Sequence, residues 1–335
     1  MDRLPGNPRR IKINAQKEGN GRENEGSMEE KGITLKFGKD FFSRSESAES
    51  TAIAAILLLG ILFAVFSMIH LGYVPEWKTD AEYSHVSSVW EDMTELKSKI
   101  DRTTIFLMSD PNSSSSSITI TMPLHTGSRE MPLTDYSKFS GTVSINTDTC
   151  KITINPANDS EKVINCGTVA YSSNNNYYVD QTFKYENGAL ILEQKDQSVM
   201  KLYPMMRVSE VSDKNYSFSI NAIEIRGLED TLSSTSDCSI YLRDCSFSSF
   251  YDSDDYENMS SFALKINTTH PEAWEAYFNE TMIRAGLEKD KDYTLDIVEN
   301  DYLYFSFPEN GSDRSLDRLY IGKTIVNAEL INGLI

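Results

Sequence analysis

Only four histidines and four cysteines occur among the 335 residues of this chain. No H-E-x-x-H, G-x-S-x-G, phosphate-cradling lysine loop or dinucleotide glycine fingerprint accompanies them. Outside the membrane-spanning segment described below, only His85, His125 and His270 are left for chemistry, in different local settings. They leave little material for a Ser/His/Asp triad or a histidine metal centre. No C-x-x-C pair is present, which argues against a zinc site. Positive charge is also short. The formal net charge of −18 disfavours nucleic acid as a partner and suits a solvated acidic exterior. No internal repeat of useful regularity is present. These absences point away from an enzyme and from any cofactor. Carboxylates are abundant, so an ectoenzyme acting on glycans or peptides stays open as the third reading.

Long apolar runs are equally rare. There is one, residues 52–69 (AIAAILLLGILFAVFSMI), uncharged and of the length an α-helix needs to cross a bilayer. Lys31, Lys36, Lys39 and Arg44 precede it, whereas a similar window after it carries only Lys78, so the amino terminus is expected in the cytoplasm. A cleaved signal would need a short basic lead and small residues just after the run. Instead fifty residues come first, and the exit reads His70, Leu71, Gly72, Tyr73, Val74, Pro75. Tyr73 and Trp77 suit the membrane interface, and His70 sits where its ring can reach water. The chain therefore reads as a single-pass protein of the cell membrane with an extracellular carboxyl-terminal part.

The lead, residues 1–50, carries ten basic and nine acidic side chains and few apolar ones, so it is expected to be disordered. That leaves −19 on the remainder. The transmembrane helix is expected over 51–74. Pro75 should break or kink it before an amphipathic helix within 75–103, where Val86, Val89, Met93, Leu96 and Ile100 form one stripe and Glu95 pairs with Lys99. Barely two heptads is short for a coiled coil, so packing against its own sheet is the better expectation.

From residue 104 the apolar period becomes two. Alternation is clear in Ile118, Ile120 and Met122, in Val143 and Ile145, in Phe218 and Ile220, and in Phe262, Leu264 and Ile266. Tyr293, Leu295 and Ile297 repeat it, as do Leu303, Phe305 and Phe307. The fold class is mainly β. An antiparallel sandwich-like ectodomain over 104–335 is expected, with one helix at about 271–285 and a sub-boundary near 227–237. Pro271 opens that helix after a Thr269 or His270 cap and Gly286 ends it, while Trp274, Tyr277, Phe278, Thr281, Met282 and Ala285 make its core face. Asn187-Gly188 marks a hairpin between strands at 182–185 and 189–192. A second hairpin pairs 151–154 with 163–166, setting Cys150 against Cys166 and Ile152 against Ile164.

All four cysteines, Cys150, Cys166, Cys238 and Cys245, lie on the outside, where disulfides persist. Three pairings are possible in principle, and short separations favour Cys150 with Cys166 and Cys238 with Cys245. Glycosylation sequons stand at Asn112, Asn158, Asn215, Asn258, Asn267, Asn279 and Asn310, all beyond the apolar run. Asp252, Asp254, Asp255 and Glu257 could gather a calcium ion, although their spacing lacks the EF-hand pattern and a solvated acidic loop is the plainer account.

The stretch ESTAIAAILLLGILFAVFSMIHLGYVPEW (49–77), the following amphipathic helix and the β-rich exterior together resemble the archaeal type IV pilin-like membrane proteins of methanogens. NNNYYVDQTFKYENGALIL (174–192) resembles a segment of the same group. The resemblance implies a helix that packs with copies of itself or with other pilin-like subunits, and a β domain that faces outward. Before the helix the chain departs from the family's processing site: Arg44 is followed by Ser45, Glu46 and Ser47. A pilin-like surface protein with a structural or adhesive role is the expectation. A ligand-binding or sensing ectodomain that does not polymerise is the alternative.

Overall fold

A computed structural model of the protein describes residues 40–109, 118–126, 140–157, 159–234, 236–255, 259–299 and 302–333. Most of the expected lead, residues 1–39, lies outside the described residues, as do Asn112, Asn158, Glu257 and Asn258. The chain falls into two units, residues 1–64 and 65–335. The first holds most of helix α1 (Asp40–Met68), whose apolar side chains stand exposed; Ile56 is 69% and Leu62 57% accessible. The helical run Ser50–Ser109 is long and apolar enough at its start to cross a membrane.

Pro75 does not break this run. A π-helical turn, Ile69–Tyr73, precedes it, with the Val74 amide donating to the Ile69 carbonyl. A proline lacks the amide and crowds the carbonyl four residues back. The wide turn just ahead relieves that crowding, and helix α2 (Val74–Ser109) continues, six residues past the expected end. Val86, Val89, Met93, Leu96 and Ile100 are all buried, as their spacing requires.

Sixteen strands follow among the described residues. In chain order they are β1 (Ile120–Leu124), β2 (Ser140–Ile145), β3 (Lys151–Pro156), β4 (Lys162–Asn165), β5 (Thr168–Asn174), β6 (Thr182–Glu186), β7 (Ala189–Gln194) and β8 (Gln197–Leu202). Then come β9 (Met206–Ser212), β10 (Asn215–Arg226), β11 (Asp230–Ser234), β12 (Cys238–Asp252) and β13 (Phe262–Asn267). Helix α3 (Pro271–Arg284) precedes β14 (Thr294–Val298), β15 (Tyr302–Phe307) and β16 (Ser315–Asn332).

They build three sheets rather than a two-sheet sandwich, in the orders β1-β12-β16-β10-β9, β11-β2-β5-β6-β7-β8 and β14-β15-β13-β3-β4. One pairing departs from the antiparallel expectation: β10 and β16 run parallel from Asn215 against Ser315 to Arg226 against Asn327. Parallel neighbours need a long crossover, and the intervening chain, which includes α3 and the β13 to β15 strands, supplies it. The expected break at 227–237 contains β11, which pairs with β2.

The long strands β10, β12 and β16 serve two cores. Phe218, Leu319 and Tyr251 meet α3 and the third sheet in one, while Ile225, Val326 and Ile240 meet α2 and the second sheet in the other. Both expected hairpins form. Glu186 opposes Ala189 around Asn187 (φ 45°) and Gly188 (φ 77°), the left-handed pair a tight primed turn demands. Ile152 opposes Ile164, and the Cys166 amide donates to the Cys150 carbonyl at 2.8 Å. In α3 the Trp274, Tyr277, Phe278 and Met282 side chains are buried. His270 occupies its N-cap position but no side chain caps the helix; the Thr268 hydroxyl instead accepts the His270 amide at 3.1 Å.

Candidate functional site

Strand β6 is buried on both faces, so its alternation sorts side chains between two environments. Phe183 and Tyr185 join the core under α2, with the Phe183 ring 5.2 Å from that of Trp90. Lys184 and Glu186 share the opposite face, where the turn before α3 closes over them. Glu186 is 0% exposed. Its Oε1 accepts the Thr268 hydroxyl at 2.7 Å and the Trp274 indole N–H at 2.5 Å, while its Oε2 has no hydrogen-bond partner among the described residues. Burial pushes the carboxyl above the usual range, and the two donors only partly oppose it.

Lys184 Nζ lies 2.7 Å from Asp148 Oδ2 and donates to the Thr269 hydroxyl at 2.7 Å. The lysine is buried and Asp148 half-exposed. His270 is buried beside them. Desolvation, and then the Lys184 charge, lowers its pKa to about 4, opposed only in part by Asp148, and Glu193 Oε2 lies 3.8 Å from its Nε2. The Cys150 thiol hydrogen-bonds to the Cys166 sulfur, which together with burial holds it well above its ordinary range, and the Cys166 thiol itself donates to the Ile164 carbonyl at 3.9 Å. Cys150 is thus not a thiolate nucleophile. At the hairpin tip, buried Asn187 accepts the Ile223 amide through Oδ1 at 3.0 Å. The cluster holds a desolvated carboxyl, an amine in contact with a carboxylate, and a thiol pair.

All four cysteines are free thiols in the structure. Cys150 and Cys166 stand in register for a bridge, but the expected partnership of Cys238 with Cys245 fails. Both belong to β12, and seven residues of strand separate them by roughly 20 Å, against a limit of about 7 Å between bridged Cα atoms. Cys238 instead lies 3.8 Å from the Thr126 hydroxyl. The acidic group near 252 is also employed differently. Arg318 grips both oxygens of Asp252 and reaches Asp254 Oδ2 at 3.1 Å, so a cation of the chain itself stands where calcium was considered. Asp255 is exposed. Among the described residues no three His, Cys, Asp or Glu side chains are grouped to hold a metal.

Of the described sequons, Asn310 is exposed, while Asn215, Asn267 and Asn279 are half-buried. Asn279 accepts the Tyr293 hydroxyl at 2.9 Å. Of the three described histidines outside the cluster, His70 sets its ring 4.4 Å from that of Phe66, His125 contacts Asp92 at 3.1 Å and His85 is buried with its ring 6.4 Å from Tyr171.

Clefts open among the described residues. One of about 680 Å³ lies among Leu228, Asp230, Arg243, Asp244 and Glu329. One of about 350 Å³ is aromatic, lined by Tyr83, Trp90, Tyr178, Gln181, Phe183 and Lys201. Another, of about 370 Å³, reaches Asp148 and Cys150. Sequence reasoning missed the Lys184–Glu186 cluster, because two charges beside an Asn-Gly turn read as a solvated hairpin tip. Their alternation with Phe183 and Tyr185 was the available signal.

Residues 128–302 match the model of a family described as being of unknown function, DUF7289. No curated protein matches the chain, and neither does any solved structure.

Proposed function

We propose, for a chain that belongs to the DUF7289 family of unknown function, a non-enzymatic role at the cell surface: a membrane-anchored protein of pilin-like organisation, structural or adhesive. One observation carries this reading. Along a single helical run the burial changes character, from the exposed apolar side chains of 53–68 to the buried stripe from Val86 to Leu107. A helix of that kind offers one half to lipid or to sister helices and spends the other half on its own β domain. The lead then lies in the cytoplasm and the β domain outside. The acidic exterior and the sequons agree with that side.

The aromatic cleft beside Trp90 favours a second reading, an anchored binding ectodomain that does not polymerise. Immunogold electron microscopy of intact cells, with amino-terminal sequencing of the native protein, separates the two. Labelled filaments built of a chain that begins close to residue 50 support the pilin-like role. Label confined to the membrane, on a chain that keeps its lead, supports the binding ectodomain. Recovery of the chain in the cytosol removes both.

A further inference from the structure

Lys184 is paired in a setting that favours more than an ion pair. Its ammonium is buried, its reach is fixed by the Thr269 hydroxyl, and it touches Asp148 Oδ2 at 2.7 Å, one bond from the carboxyl carbon. Two residues along the same face stands Glu186, wholly buried, with Oε2 unpartnered among the described residues. We propose that Lys184 and Asp148 become joined by an amide bond that the folded chain forms itself, with Glu186 moving the protons.

The step needs no reagent. Within the ion pair the Lys184 ammonium passes a proton to the Asp148 carboxylate, leaving a neutral amine against a neutral acid. The Nζ lone pair then forms a bond to Cγ. Glu186 gives its proton to the oxygen of the tetrahedral intermediate and receives one from Nζ, ending as it began. The bond from Cγ to the hydroxyl oxygen breaks and one water leaves; nothing is oxidised or reduced. Fixing amine and acid in contact replaces an encounter between separate molecules. The direction of the Glu186 shift suits the role, because burial keeps a carboxyl protonated and able to donate. Asp148 lines the 370 Å³ cleft, which gives the water an exit.

The bond would tie β6 to the connection 146–150, by which the chain leaves β2 in the second sheet for β3 in the third. Such a tie holds β6 to that connection against pulling or proteolysis.

Tryptic peptide mapping of the full-length protein, purified in detergent and reduced, tests this. The expected result is a branched peptide joining the segments of Asp148 and Lys184, lighter than their sum by one water and uncut after Lys184. It should vanish in Lys184→Arg and in Asp148→Ala. Glu186→Gln, which keeps the acceptor used by Thr268 and Trp274, should remain folded and unlinked. Linear peptides throughout in the wild type overturn the proposal, whatever the variants do. A linked Glu186→Gln protein overturns the role given to Glu186.

Discussion

Cys166 donates its amide to the carbonyl of Cys150 across the β3–β4 hairpin at 2.8 Å, with both thiols buried. In an oxidising compartment the pair can lose two protons and two electrons to a disulfide-exchanging oxidant. The bridge closes a loop that is worth on the order of 3 kcal/mol in the chain-entropy account. Alkylation of the denatured, unreduced native protein should therefore label Cys238 and Cys245 and spare Cys150 and Cys166. Labelling of all four would show that the pair stays reduced. The same protein should lose about that stability in urea when reductant is added.

Asn187 combines two requirements. It takes a left-handed conformation, and its Oδ1 satisfies the Ile223 amide in the interior. Asn187→Ala strains the turn and leaves that amide unpaired, for a cost of about 2–3 kcal/mol. Asn187→Gly keeps the turn and loses only the acceptor, so it should cost less. Urea unfolding of the two variants distinguishes the contributions, and equal losses would mean that the backbone conformation contributes nothing.

The elements legible in the sequence are those whose cause is local. Phe262, Leu264 and Ile266 alternate because one face of β13 is buried, and Asn187-Gly188 betrays its turn because few other residues accept positive φ. The register of Cys150 against Cys166 followed from hairpin geometry alone. Strands β12 and β16 were not legible. Irregularities at 243–246 and 249–251 reset the alternation of β12, and β16 passes from one core to the other along its length. The parallel pairing of β10 with β16 joins segments about a hundred residues apart, which no window of sequence reveals. The unbroken passage of the helix through Pro75 was not legible, because the π turn before it is a property of the backbone. The Lys184–Glu186 cluster is buried only because Thr268, Thr269 and Trp274, over eighty residues later, close on it.

Glu82 fastens the loop beside the aromatic cleft. Its carboxylate, carried by α2, accepts the amides of Asn176 at 3.0 Å, Tyr177 at 2.7 Å and Tyr178 at 2.6 Å, and the side chain is buried. Three amides lose their acceptor in Glu82→Ala, so a cost of about 2–3 kcal/mol is expected. Hydrogen exchange should quicken at 176–178 before it changes in β13 or β15. Unchanged protection at these amides would show that the carboxylate does not hold the loop.

His270 gives the fold a pH dependence whose sign follows from its surroundings. The groups facing it are Lys184 and Asp148 from the cluster and Glu193 from β7, and burial is the largest influence, lowering its pKa to about 4. The folded state thus favours the neutral ring. An unfolded histidine titrates near 6.5, so the unfolded chain takes up the proton first as the pH falls. The contribution is fully present above about pH 6.5 and is lost between there and pH 4, for a total on the order of 3 kcal/mol. Glu186 acts with the opposite sign: its raised pKa favours the folded state at low pH and weakens it as the pH rises, in a window starting near 4.5. Urea midpoints measured at pH 7 and pH 4.5 should fall more in the wild type than in His270→Gln. Parallel losses in the two proteins would place the acid sensitivity elsewhere, and a greater loss in the variant would reverse the sign assigned to this ring.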